Sequence, residues 1–258
     1  MEVILTDFVR FALALVRLAT FLAVIPVFNM RNIPIQAKIG LAALAALVVM
    51  PPLAGNLNLE SPGVLMFLAL QEVAAGLLLA LVVILVFAII TFAGHYVDTP
   101  MGFGMASVFD PSLGGQIPVF SQFYFVFATL IFFGVDAHLW LFKALTKSFA
   151  ILPLGQSLNL EPSFPVFMDL IQQVFVLGIK LALPIVATIL LTDLGLGIVI
   201  RAVPQINVFV IGFPIKIAVG LLVIVFALPT FVLIVSELFS LDGLLFRYFH
   251  EILALGGG

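Results

Sequence analysis

The 258-residue sequence predicts an all-α, multi-helix integral membrane protein, and three observations carry that prediction. Hydrophobic residues make up 64% of the chain and charged residues 9%, against about 25% charged in an ordinary soluble domain. Too little polar surface remains to coat a water-soluble fold. Runs such as Val64 to Ala93 and Val208 to Val235 exceed the roughly 20 apolar residues that cross a hydrocarbon core of about 30 Å as a helix. These runs are strings of Leu, Ala and Ile without sustained alternation, so helices are expected in place of barrel strands of about 9–11 residues.

In chain order the apolar runs fall at 8–28, 37–53, 64–93, 119–142, 166–192 and 208–235, giving about six membrane-embedded segments. The first has Glu2 and Asp7 ahead of it and Arg10 and Arg17 within it, the reverse of a cleavable signal peptide, so a retained segment is expected. Short connectors follow at 29–36 with Pro34, 55–63 with Pro62, and 152–165 with Pro153, Pro162 and Pro165. None is long enough to separate soluble domains. Pro184, Pro214 and Pro229 fall inside the later runs, which suggests bent helical hairpins over straight rods. Glycines flank Asp98 (Gly94, Gly102) and Lys216 (Gly212, Gly220) at spacings of four, and Ala42 and Ala46 repeat that spacing, which permits close helix contact on one face.

The stretch from Gly94 to Pro118 stands apart. It reads GHYVDTPMGFGMASVFDPSLGGQIP, too polar and glycine-rich for an ordinary spanning helix. Met101, Phe103, Met105, Val108 and Phe109 would be costly to expose, while the glycines with Pro100 and Pro111 oppose a continuous helix. Such backbone is tolerated at membrane depth only when buried in protein or lining a water-filled cavity. A central re-entrant or plug-like loop is therefore expected, with Asp110 and Pro111 forming a turn or helix cap.

Several charges lie where lipid would penalise them. Arg17 is about 15 Å from either end of its run at the helical rise, farther than its side chain comfortably snorkels. Arg10, seven residues earlier, lies on nearly the same helical face. Glu72, Lys180, Asp193 and Lys216 sit in or beside apolar runs, each costing about 2.5–3.5 kcal/mol at a helix centre if unpaired. Their dispersal favours pairing between helices or with neighbouring chains over a proton relay. The cations Arg31 with Lys38, and Lys143 with Lys147, would fall on opposite sides if six segments alternated strictly. A crossing or re-entry by 94–118 would ease that conflict.

Other function classes find little support. Without cysteine, disulfides and thiolate chemistry are excluded. His95, His138 and His250 lack ligand spacing, and no GxSxG, P-loop or strand-coupled GxGxxG occurs. No catalytic residue, metal or cofactor is expected. A net charge of −3 without a basic stripe offers nothing to nucleic acid.

The blocks GHYVDTPMGFGMASVFDPSLGGQIPVFSQF, VDAHLWLFKALTKSFAILPLG and ALPIVATILLTDLGLGIVIRAVPQINVFVIGFPIK resemble, in preserved order, the pattern of the flagellar biosynthetic protein FliR family and its type III secretion relatives. The resemblance implies a bacterial export-gate subunit in the inner membrane at the flagellar basal body. It would assemble with FliP and FliQ, be wrapped by FlhB on the cytoplasmic side, and pass unfolded flagellar subunits. Residues 101–118 would plug the closed pore, with Phe103, Met105, Val108 and Phe109 as apolar bulk and Gly114 and Gly115 as flexible joints, and with Met101, Gly104, Asp110 and Pro111 in the same gating loop.

The same resemblance divides the chain into a FliP-like part, 1–192, and a FliQ-like part, 193–258, with an approximate boundary. Gln205, Asn207, Phe213, Pro214 and Lys216 carry the FliQ-like pattern, with the Pro-to-Lys spacing off by one residue. Partner packing would involve these positions together with Arg10, Arg17, Glu72, Asp98, Lys180, Asp193 and Arg201. Two other classes compete. A secondary transporter of a small solute or protons would use broken helices and a midplane site, with an inverted repeat that the sequence does not display. A scaffold would nucleate the complex without lining its pore.

Overall fold

The computed structural model describes residues 2–29, 33–49, 62–103, 118–155, 161–205 and 207–256. Its helices are α1 (Glu2–Val24), α2 (Ile35–Val49), α3 (Pro62–Met101), α4 (Val119–Gly134), α5 (Ala137–Ile151), α6 (Ser163–Ala202), α7 (Val208–Phe239) and α8 (Leu244–Gly256). No strand occurs among the described residues. The all-α class holds, and its long apolar helices are consistent with a multi-pass membrane protein.

Helices carry all six predicted apolar runs, but not every one of them is long and apolar enough to span by itself. Among the described residues three helical stretches, α3, α6 and the run beginning in α7, are long and apolar enough to cross a membrane, or four if one broken pair counts as a span. The broken pair is α4 with α5. The predicted run 119–142 splits at Val135 and Asp136, where Asp136 takes the left-handed φ of 56°, a conformation Asp tolerates better than most residues. Helix α2 has 15 residues, about 22 Å at the helical rise and short of the hydrocarbon core. In α1, Asp7, Arg10 and Arg17 dilute the apolar run.

The expected irregular stretch also starts later than Gly94, because α3 continues to Met101 with Pro100 inside it. Pro100 lies in the last turn, where its missing N–H removes the helical bond to the Tyr96 carbonyl. The helix then closes two residues on. Gly102 adopts φ 89°, its N–H donates to the Thr99 carbonyl at 3.2 Å, and the Phe103 N–H reaches the Asp98 carbonyl at 3.3 Å. That pair of bonds is a Schellman stop, which needs the positive φ that glycine supplies. Pro184, Pro214 and Pro229 likewise lie inside continuous helices. Beside the first of them, Thr188 Oγ1 donates to the Pro184 carbonyl at 2.8 Å.

The chain forms two compact units. One comprises Met1–Val86, Val135–Leu170 and Leu238–Gly258, and the other Phe87–Gly134 and Ile171–Glu237. In the first, α1 packs on α2 and α5 on α8. Helix α8 has no counterpart among the six apolar runs. It buries Leu245, Phe246, Phe249 and Ile252, the i, i+1, i+4, i+7 stripe of an amphipathic helix, and Phe249 meets Phe21 edge-on at 6.3 Å. The second unit is built on aromatic contacts, with Phe87 against Phe132 at 5.8 Å and Tyr124 stacked on Phe231 at 4.4 Å.

Candidate functional site: carboxylate clasps and the neck of the central loop

In the first unit, Arg17 is 1% exposed, and such a cation persists only if its donors are satisfied. Its Nε donates to Glu72 Oε2 at 2.5 Å, its NH1 to the Leu152 carbonyl at 2.9 Å, and its guanidinium lies 4.3 Å from the centre of the Phe149 ring. Leu152 is the C-cap of α5, whose last turn holds no basic residue, so α1 supplies the cation that a helix C-terminus favours. Glu72 Oε1 accepts from the Gly155 amide at 3.4 Å, and Gly155 has φ 82°, where a side chain would be strained. One turn along α3, Gly76 lets the backbones touch: a Cβ there would stand 2.6 Å from the Arg17 carbonyl oxygen. The ion pair thus joins α1, α3 and the turn after α5.

In the second unit the same helix repeats the device. Asp98 Oδ1 accepts from the Phe120 amide at 2.8 Å and Oδ2 from the Ser121 amide at 3.1 Å. These are the second and third N–H groups of α4, which have no partner within the helix. Asp98, buried at 4% exposure, therefore caps α4 from α3. Four residues earlier, Gly94 has no room for a Cβ, which would collide with the Ser121 backbone.

Between those two helices runs the central loop, and its neck is clamped. Phe103 meets Phe120 edge-on at 5.4 Å. Met101 is fully buried in a notch left by Gly220 of α7, where any Cβ would strike its thioether. A Cβ on Gly102 would strike the Phe213 ring. Met101 and Phe103 are therefore placed at the neck, while Gly104, Met105, Val108, Phe109, Asp110, Pro111, Gly114 and Gly115 lie outside the described residues.

The remaining predicted positions do not converge. Lys216 Nζ and Asp193 Oδ1 pair at 2.5 Å, tying α7 to α6 beside a cleft of about 230 Å³. Arg10 pairs with Asp7 at 3.3 Å on α1. Arg201 sits in the last turn of α6, where it complements the helix dipole. Gln205 is exposed in the following turn, and the Asn207 carbonyl accepts from the Val210 and Ile211 amides at the start of α7. Pro214 is inside α7, and Lys180 is exposed on α6. Among the described residues no group of acids and histidines could hold a metal.

Gly76 was not singled out by spacing, although the string EVAAG following Gln71 places it one turn from Glu72. Tyr248 was missed as well: it is buried in α8 and its hydroxyl donates to Asp169.

Comparison with known proteins places these features in a family. The model for bacterial export proteins, family 1, matches residues 8–241. The flagellar biosynthetic protein FliR of Bacillus subtilis (strain 168) is 34% identical over 250 residues, covering 93% of this chain and 94% of that protein. FliR of Pectobacterium carotovorum subsp. carotovorum is 35% identical over 225 residues, covering 87% and 86%, and FliR of Escherichia coli (strain K12) is 29% identical over 226 residues, covering 88% and 87%. Matched over nearly its whole length, the chain belongs to family 1 of the bacterial export proteins, together with the flagellar FliR proteins.

Proposed function

We propose that the chain is a structural subunit of the flagellar type III protein-export gate in the bacterial inner membrane, at the flagellar basal body. It assembles with FliP and FliQ, is contacted by FlhB, and passes unfolded flagellar subunits. The observation that carries this reading is the length of exposed apolar surface on α6. Exposed large side chains run from Phe164 to Val199, 35 positions apart and about 52 Å along a helix. Even at a tilt of about 40° that stretch rises about 40 Å along the membrane normal, beyond a hydrocarbon core of about 30 Å. Lipid tails cannot cover all of it, and burial against other subunits can.

The test is copurification from cells that coexpress the chain with FliP and FliQ. The expected result is one stable complex containing all three. A chain that purifies alone as a stable species and binds a small solute would overturn this reading in favour of a transporter.

In the closed gate, residues 101–118 form the plug. Flexible Met and Phe side chains pack an irregular seal that excludes water and ions yet yields to an entering chain, and the glycines lower the cost of swinging aside. Anchoring at the neck keeps both ends of the loop together while its middle moves. Deleting Gly104 to Gly115 is expected to leave assembly intact and raise the ion conductance of reconstituted complexes. Unchanged conductance in a correctly assembled complex would rule out the plug.

A further inference from the structure

We propose that Lys180 is the docking point for an apolar helix of another protein that carries a single carboxylate, an inference that rests on the assembly reading above. Lys180 is exposed near the middle of α6, and its ammonium has no ion-pair or hydrogen-bond partner among the described residues. The surface around it is apolar: Phe175, Ile179 and Leu183 on α6 and Phe226 on α7 are all exposed. Lys180 borders a cleft of about 290 Å³ whose lining is otherwise mostly apolar, with Pro184, Val223 and Phe226 among its walls. A lone ammonium on such a surface is unfavourable in lipid unless a counter-charge meets it at the same depth.

Two features select the occupant. Lys180 lies 17 positions from the start of α6 and 22 from its end, about 25 and 33 Å at the helical rise, farther than a lysine stem carries its charge. That disfavours a lipid phosphate. Contact with these same long helices of a second copy is disfavoured because the carboxylates of α3, α6 and α7 are already engaged, and the exposed Asp136, Asp242 and Glu251 lie outside them, at the α4–α5 break, after α7 and on the amphipathic α8. Glu72 is held by Arg17, Asp98 by two backbone amides, Asp169 by Tyr248, Asp193 by Lys216, and Glu237 also has a partner. The occupant is therefore a different polypeptide whose apolar helix brings one Asp or Glu into the cleft.

The experiment uses the complex purified with its partner subunits, treated with dicyclohexylcarbodiimide, which couples a carboxylate to an amine only when the two touch. Peptide mapping is expected to find an amide between Lys180 and an Asp or Glu of another polypeptide. Lys180→Met is expected to lower partner recovery about tenfold, while Lys180→Arg, which keeps the charge, retains it within about twofold. An amide to a second copy of this chain would overturn the proposal. So would a phospholipid lost from Lys180→Met with the partners retained, or wild-type assembly in Lys180→Met without any amide at Lys180. If the wild-type chain copurifies with no other subunit, the assembly reading itself fails. If it assembles and only the Lys180 results are negative, this inference alone falls.

Discussion

Replacing Arg17 with methionine is expected to lower the melting temperature strongly, and Glu72→Leu is expected to do the same. Both side chains are buried, at 1% and 2% exposure, so removing either strands the other charge in a low-dielectric interior. Breaking a buried pair from one side costs about 3–5 kcal/mol, a large part of the roughly 5–15 kcal/mol by which a domain is stable. The Arg17 change also orphans the Leu152 carbonyl, and the Glu72 change the Gly155 amide. The double variant removes both charges together, so its loss should fall short of the sum of the single losses by about 1–3 kcal/mol. Thermal melting of the detergent-solubilised complex, read as monodisperse protein after heating, measures all three. Additive losses would show that the pair is not coupled.

The reason for placing so costly a pair here lies in what it joins. The turn Leu152 to Gly155 follows α5, where the Leu152 amide still bonds to the Ser148 carbonyl at 2.8 Å. Arg17 and Glu72 between them satisfy one carbonyl and one amide of that turn. Asp98 does equivalent work where α4 begins. In both units α3 therefore offers a carboxylate to backbone amides, those of the turn after α5 and of the first turn of α4, with a glycine four residues away for close approach: Glu72 with Gly76, and Asp98 with Gly94.

How much of this was legible follows from the nature of each signal. The helical class could be read because long Leu- and Ala-rich runs have few alternatives in a membrane. That Arg17 must face protein was legible from its depth in a run, but its partner lies 55 residues away in sequence and no local pattern identifies it. The four-residue spacing of Gly94, Asp98 and Gly102 was visible. The separate jobs of close approach, capping and helix termination were not, since each depends on Ser121, Phe120 or Phe213 arriving from elsewhere. The break at Asp136 was hidden because the apolar run continues through Phe132 and Phe133 and resumes at Leu139. Helix α8 escaped because Arg247, His250 and Glu251 lower its average hydropathy while its buried stripe stays apolar.

Gly94→Ala is expected to destabilise the protein even though the same change helps most helices. In an open helix, alanine in place of glycine is favourable by about 0.8–1.0 kcal/mol. At Gly94 the added Cβ would fall on the Ser121 backbone, which cannot rotate aside as a long side chain could, so α3 and α4 must separate. Such overpacking costs about 1–3 kcal/mol. Separation also pulls Asp98 from the two amides it caps, and each buried amide left unsatisfied adds about 1–3 kcal/mol. The losses outweigh the propensity gain, and the melting temperature should fall by several degrees, at about 2–4 °C per kcal/mol for a chain of this size. Gly195 on α6 is the control, because a Cβ there meets nothing within 4 Å, so Gly195→Ala should not lower the melting temperature. Asp98→Asn separates the two contributions at the neck: it keeps the shape and one acceptor oxygen but loses the second, so its loss should be smaller than that of Asp98→Ala. If Gly94→Ala melts at or above the wild-type temperature, the close approach of α3 to α4 is wrong, and with it the anchoring of the central loop.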